Sequence, residues 1–311
     1  MRQIYLSFFL SILFACTTDT KEKVSDLPNS DSLFTTPLGK TYQIPTPSAE
    51  LMAQYQKAKS AFESNPEAVE AIIWYGRRTA YLGQFRQAID IYSNGLEKYP
   101  NDPRLYRHRG HRYISMRDYE RAIADFEKAS KLIVGTTDEI EPDGIPNALN
   151  IPVSSLHSNI WYHLGLSYYL THQYDKAYTA FLKCRESGSH YDNMVSSTHW
   201  LYMIQRRLEN PDKADSLLAP IHADSTVIEN QSYANLCRLY KGWIPVDSLI
   251  QEGPGNPSND AVRYGVANWY LYNGDTTKAR QLMEALVSEK AFSSFGYLAA
   301  EGDLLRYFDY D

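Results

Sequence analysis

The feature that most limits what this chain can become is a repeat of 34 residues. Gly76 and Gly110 lie 34 apart, and so do Ala88 and Ala122, Tyr92 and Phe126, and Gly95 and Ala129. Four matched pairs at one spacing, each preserving small or aromatic character, mark a repeated supersecondary unit. Such a unit cannot bury its apolar face alone, so copies must stack into a continuous core. No alternating strand pattern of useful length appears, and the apolar spacing is helical.

A third copy is more complete. Trp161, Leu164, Gly165, Tyr168, Ala177 and Phe181 read W-x2-L-G-x2-Y…A-x3-F, which resembles the tetratricopeptide repeat (TPR). The resemblance implies an all-α, right-handed superhelical solenoid of antiparallel helix pairs. Small residues at repeat positions 8 and 20 would bring helices A and B together, and the aromatic at 24 would fill the space between repeats. Repeat one then runs over 69–102, repeat two over 103 to about 136, and repeat three over 158–191. A last clear unit begins near Asp260. Two degenerate hairpins are expected over 195–220 and 231–251, a leading helix over 48–64 and a capping helix over 292–308.

The N-terminus is set apart from the fold. Arg2 precedes an apolar stretch from Ile4 to Phe14 that is too short to span a bilayer. Leu13-Phe14-Ala15-Cys16 resembles the lipobox of bacterial lipoproteins. That resemblance implies a signal peptide over 1–15, diacylation of Cys16 (a palmitate-type anchor), and a place in the cell envelope, at the outer membrane facing the periplasm. Residues 16–47, rich in Ser, Thr, Pro, Asp and Lys, read as a flexible tether. The domain order is therefore signal, tether, and solenoid over 48–311 with an ordered insert at about 137–157.

In TPR proteins, positions 2, 5, 9, 12 and 13 of helix A line the concave groove. The resemblance puts Arg77, Tyr81, Arg104, Arg107, His111, Tyr162 and Tyr169 there. Arginine forks pair with carboxylates, so this basic stripe suits an extended ligand carrying acids. Several of these arginines have neighbouring acids, such as Asp118, Glu120 and Glu127, that would instead consume them. The insert interrupts the rhythm at a length that is usually functional or disordered. Its acids are expected to dock on the basic stripe. Ile140, Ile145, Leu149 and Ile151 are expected to anchor it, narrowing the groove beside His157 and Asn159. A packed spacer is the alternative.

The blocks Tyr106–Ile114, Glu141–Gly144 and Leu156–Leu166 look like those of a bacterial TPR-protein family of uncharacterised function. This supports the fold and the insert and supplies no activity.

Enzymatic motifs are missing. There is no H-E-x-x-H, CxxC, G-x-S-x-G or Walker A sequence, so no metal, cofactor or catalytic residue is expected. An enzyme would need Glu141, Asp143 and His157 to converge near Arg107. Cys184 and Cys237 occupy packing positions. A net charge of −6 speaks against nucleic acid. The reading is a membrane-tethered scaffold that binds a peptide or partner protein in its groove. The alternative is an envelope binding protein for a small molecule or glycan.

Overall fold

The computed structural model describes residues 33–44, 46–188, 190–250 and 257–308. The expected signal peptide, Cys16 and the first half of the expected tether lie outside the described residues. Thirteen α-helices follow one short β-hairpin: α1 (Ala49–Ser64), α2 (Val69–Tyr81), α3 (Phe85–Lys98), α4 (Pro103–Ser115), α5 (Tyr119–Leu132), α6 (Leu156–Leu170), α7 (Tyr174–Ser187), α8 (Tyr191–Arg207), α9 (Pro211–Leu217), α10 (Gln231–Tyr240), α11 (Pro257–Tyr272), α12 (Thr276–Val287) and α13 (Phe295–Tyr307). The pairs α2/α3, α4/α5, α6/α7, α8/α9 and α11/α12 are consecutive hairpins, each packed on the next. The fold is therefore an all-α TPR-type solenoid, as the 34-residue spacing predicts.

Local chemistry explains the boundaries. Asp102 Oδ1 accepts from Arg104 N at 2.9 Å, and Pro103 fills the first helical position of α4. Ser155 and Ser158 form a reciprocal capping box on α6. The repeat also shows in the backbone. The turns between helices A and B place one residue each in the left-handed region, including Gly83 (φ +81°), Arg117 (+63°), His172 (+58°) and Gly274 (+91°).

The repeat glycines do what the spacing implies. A Cβ on Gly76 would lie 2.5 Å from the Tyr92 ring, on Gly110 2.9 Å from Phe126, and on Gly165 2.8 Å from Phe181. Helix A of each repeat thus rests its bare backbone on the aromatic of helix B. Ala122, fully buried in the same layer, is expected to tolerate no long side chain. Ala122→Arg overpacks the joint and strands a cation, costing more than about 3 kcal/mol. Loss of the folded protein on expression, or of a cooperative urea transition, checks this.

Three expectations are corrected. The tether reading fails over 33–44, where Leu33–Thr35 and Thr41–Gln43 pair as antiparallel strands β1 and β2. This hairpin docks: Lys40 Nζ donates to Val287 O, and Ile44 lies against Gly83. The second degenerate hairpin closes with a 3-10 turn, Val246–Leu249, instead of a helix.

The third correction is the largest, because the rod closes on itself. α13 packs on α11 and α12 and also reaches α6. Arg117 Nε donates to Glu301 Oε2 at 2.8 Å and Nη2 to Phe292 O at 2.8 Å. Phe292 itself meets Phe85 with ring centroids 6.0 Å apart. The helix expected to cap the end covers α11 and α12 and in addition joins the last unit to repeats one to three.

Candidate functional site

Closure decides which groove residues remain available. Tyr169 is buried, its hydroxyl 2.6 Å from that of Tyr264, which donates to Asp303 at 2.9 Å. Tyr162 is half-buried and lines the cleft described below. Its hydroxyl meets Tyr233 Oη and accepts from Trp200 Nε1, both at 2.9 Å. His111 stacks beside His163 (4.5 Å) and Phe295 (5.7 Å). Of these three expected ligand contacts Tyr169 is a core group, while Tyr162 and His111 are half-buried and keep a face on the cleft. Desolvation holds His111 well below its ordinary pKa and Tyr162 well above its own.

The basic stripe is mostly consumed. Arg104 pairs with Asp102 at 2.6 Å and with Glu70. Arg109 grips Asp125 with two bonds of 2.8 and 2.7 Å. Arg107 Nε lies 3.1 Å from Glu141 Oε2 in the insert, and His108 Nε2 lies 3.2 Å from Glu141 Oε1. Arg107 Nη1 faces His108 Nδ1 at 3.0 Å. An arginine only donates, so Nδ1 is the acceptor and the proton sits on Nε2, aimed at Glu141. His108 is thus neutral. Burial and the adjacent Arg107 push its pKa down to about 3. Burial alone would raise Glu141, but Arg107 and the His108 hydrogen bond overcome it and hold the carboxyl well below its ordinary range. Asn159 Nδ2 also donates to Glu141 Oε2, at 2.5 Å.

The same segment is clamped through its backbone. Arg77 Nη1 donates to Pro142 O and Arg78 Nη1 to Gly144 O, both at 2.9 Å. A Cβ on Gly144 would fall 1.7 Å from Tyr81 Oη, so only glycine lets the chain cross that ring. Glu141 N donates to Ser154 O and Leu156 N to Glu139 O, closing the insert's base. Farther out, Asn147 Oδ1 accepts from Leu149 N (3.1 Å) and Ile151 N (3.3 Å), while its Nδ2 donates to Glu229 Oε1 at 2.6 Å.

The expectation that the insert's acids meet the stripe is realised by Glu141. The expectation that its aliphatic residues anchor it is overturned. Ile140, Ile145, Leu149 and Ile151 are all exposed, and the anchors are polar. His157 accompanies Asp138 and Thr136 at the insert's base and does not line the cleft described next.

That cleft runs along the concave side in three lobes. The first, about 370 Å³, lies between Arg77, Arg107, Asp143, Asn159 and Glu229. The second, about 240 Å³, is bounded by Ser154, Asn159, Tyr233, Glu229 and Phe295. The third, about 350 Å³, continues past His111, Asn230, Ser232 and Ser294. Neighbouring lobes share wall residues, Asn159 and Glu229 between the first two and Tyr233 and Phe295 between the last two.

One wall is the segment 228–230, which is fixed by a buried carboxylate. Asp192 accepts from Ile228 N (2.9 Å), Glu229 N (2.7 Å) and Asn230 N (2.7 Å). Sequence reading missed Asp192, Glu229 and Asn230. They lie in and beside a degenerate unit where the repeat offers no register.

Among the described residues, no cluster of His, Cys, Asp and Glu is arranged to hold a metal. Cys184 and Cys237 are buried free thiols that burial pushes up to about 12, which disfavours the nucleophilic thiolate.

The tetratricopeptide-repeat family model matches residues 103–133. No curated protein matches the chain. Among solved structures, YrrB, described as a TPR protein with an unusual peptide-binding site, is 16% identical. It covers 79% of this chain and 96% of its own, with a TM-score of 0.43. A tetratricopeptide-repeat protein from Parabacteroides merdae is 14% identical, covering 80% of this chain and 92% of its own, with a TM-score of 0.46.

Proposed function

We propose that this chain is a lipid-anchored interaction scaffold of the bacterial envelope that holds an extended segment of a partner protein in the concave cleft. The observation that supports this reading is a row of three lobes that share wall residues. Lobes walled by Asn159, Ser154, Asn230 and Ser232 on one stacked scaffold suit a strand of polypeptide, whose backbone needs a partner at every residue. Repeat architecture suits such a task, since rigid helices hold the wall while loops shape it.

Cys16 supplies the anchor in this reading. Several acyl chains, each buried methylene contributing about 0.8 kcal/mol, hold a soluble body at a bilayer. Cys16→Ser is expected to move the protein from the membrane pellet to the soluble fraction and to abolish palmitate labelling. Retention in the pellet at wild-type level would count against the anchor.

The scaffold reading is tested with a photo-crosslinking residue at Ser232, inside the cleft, and at Lys183, on the exposed face of α7. Partner adducts from native membranes are expected at position 232 and not at 183. Equal labelling would reject the cleft as the binding surface.

A further inference from the structure

The insert combines two properties that conflict in a loop meeting only water. It is fixed at both its base and its tip by the bonds described above. Yet it turns its aliphatic side chains outward: Ile140 is 55% exposed, Ile145 72%, Leu149 63% and Ile151 47%. A lone exposed aliphatic is ordinary. Four within twelve residues, all exposed on one hydrogen-bonded segment, call for a partner.

Its charge says which partner. Residues 133–155 contain Asp138, Glu139, Glu141 and Asp143 and no lysine or arginine. Arg107 compensates Glu141. Asp143 has no cation within ion-pair distance among the described residues, and Arg77 acts on it from farther away. Glu229, opposite, is bonded to the neutral amide of Asn147 and has no cation within ion-pair distance among the described residues. The lobe thus holds three carboxylates (Glu141, Asp143, Glu229) against two guanidinium groups (Arg77, Arg107). Ile145 lines this same lobe, so the apolar arc and the acidic mouth adjoin.

We propose that the insert is a docking surface for a partner polypeptide in which aliphatic side chains are interspersed with lysine or arginine. The aliphatic groups lie on the arc of Ile145, Leu149 and Ile151, and one cation enters between Asp143 and Glu229. The inference rests on the scaffold reading and gives its ligand a chemistry. That chemistry is opposite to the acidic ligand the basic stripe suggests in the sequence.

Two other occupants fit less well. An anionic bilayer repels an acidic loop, and the arc lacks the tryptophan, tyrosine and basic residues that settle at a membrane interface. The β1–β2 hairpin, through which the N-terminal segment enters, also docks at Gly83 and Val287. Gly83 belongs to the A-to-B turn of repeat one, whereas the insert leaves from the far end of a helix B, after Leu132. A second copy meeting through a two-fold axis would place acidic arc on acidic arc.

The test uses two labelled twelve-residue peptides of one pattern, leucine with lysine and leucine with glutamate. They are titrated by fluorescence anisotropy in low and high salt, alongside phosphatidylethanolamine–phosphatidylglycerol vesicles. The lysine peptide is expected to bind about tenfold more tightly than the glutamate peptide, with the difference shrinking as salt rises. Asp143→Asn/Glu229→Gln should erase that preference, and Ile145→Ser/Leu149→Ser should weaken binding. Because these side chains are at least partly exposed, both variants should unfold within a few degrees of wild type; a folded variant that keeps the preference overturns the proposal.

A glutamate preference, or equal binding of both peptides, also overturns it and leaves the scaffold reading standing. Vesicle binding lost in Ile145→Ser/Leu149→Ser would reassign the patch to a membrane. If neither peptide binds, the docking surface fails, and the adducts at position 232 decide whether the scaffold fails with it.

Discussion

Lowering the pH from 7 to 5 is expected to remove several kcal/mol of folding stability, through three histidines that the fold keeps neutral. His108, His163 and His199 are buried, and desolvation pushes each from 6.5 down to about 3. His108 is further disfavoured as a cation by Arg107. His163 points Nδ1 at Asn159 O, 2.6 Å away, among the rings of His111, Phe126 and Phe295. His199 stacks against Tyr233 at 4.9 Å and Tyr240 at 5.9 Å.

Between pH 6.5 and 3 the unfolded chain takes up protons that the folded chain refuses. Stability is therefore full above 6.5 and falls as the pH drops through that window. At pH 5 the loss is about 2 kcal/mol per histidine, or about 6 kcal/mol together. That is a large part of the ~5–15 kcal/mol typical of a domain. Carboxyls raised by burial, such as Asp125 and Glu229, act with the opposite sign, but they start from the lower carboxyl range. Glu141, held low, keeps its contribution down to pH values below its ordinary range. Urea midpoints at pH 7, 6 and 5 check this. A flat profile would mean that the histidines accept protons in place. His199→Phe should flatten the slope in part.

Cutting the Arg117–Glu301 pair is expected to open the closed solenoid. The two side chains are 5% and 1% exposed, so Glu301→Ala leaves a buried guanidinium that lacks its charge partner, at a cost of about 3–5 kcal/mol. Arg117 also sits at φ +63°. A non-glycine there costs of order 1 kcal/mol or more, which its bonds to Glu301, Phe292 O and Ser115 O offset. The double substitution Arg117→Met/Glu301→Leu keeps volume without charge and is expected to recover most of the loss. Hydrogen exchange should show α13 and residues 288–294 opening in Glu301→Ala while α2–α5 stay protected. Uniform loss of protection would mean that the pair stabilises the whole fold and not the closure.

The two sets of residues behind these predictions were not equally visible in the sequence. Gly76, Ala88, Tyr92 and their partners 34 residues on were legible because a repeat imposes the same contact each time. Caps such as Ser48 and Asp102-Pro103 follow from local bonding. Arg117 with Glu301, 184 residues apart, belongs to no period and no local motif, so the closure left no pattern to find. The consequences reached the groove, because Tyr169 occupies a ligand position in an open solenoid and becomes core in a closed one, while Tyr162 and His111 become half-buried walls of the cleft. Tyrosine hydroxyls meet in pairs across this seam, Tyr162 with Tyr233 and Tyr169 with Tyr264.

The insert was half legible. Its acids beside a basic stripe pointed to the Glu141–Arg107 contact. Its isoleucines suggested anchoring, since apolar residues usually bury. Here Arg77 and Arg78 hold carbonyl oxygens and Asn147 folds the tip, so the backbone is held without them and they are left facing out. Nothing in the spacing of residues 228–230 announces that Asp192 will gather three of their amides.

The docked hairpin has a mechanical consequence. Lys40 rests on the last unit at Val287, and Ile44 on the first repeat at Gly83. Tension applied to the chain before residue 33 is therefore shared between the beginning and the end of the ring. A pull that would unzip an open stack from its first helix must here shear both contacts together. A body moored this way resists peeling and yields, if at all, across its seam.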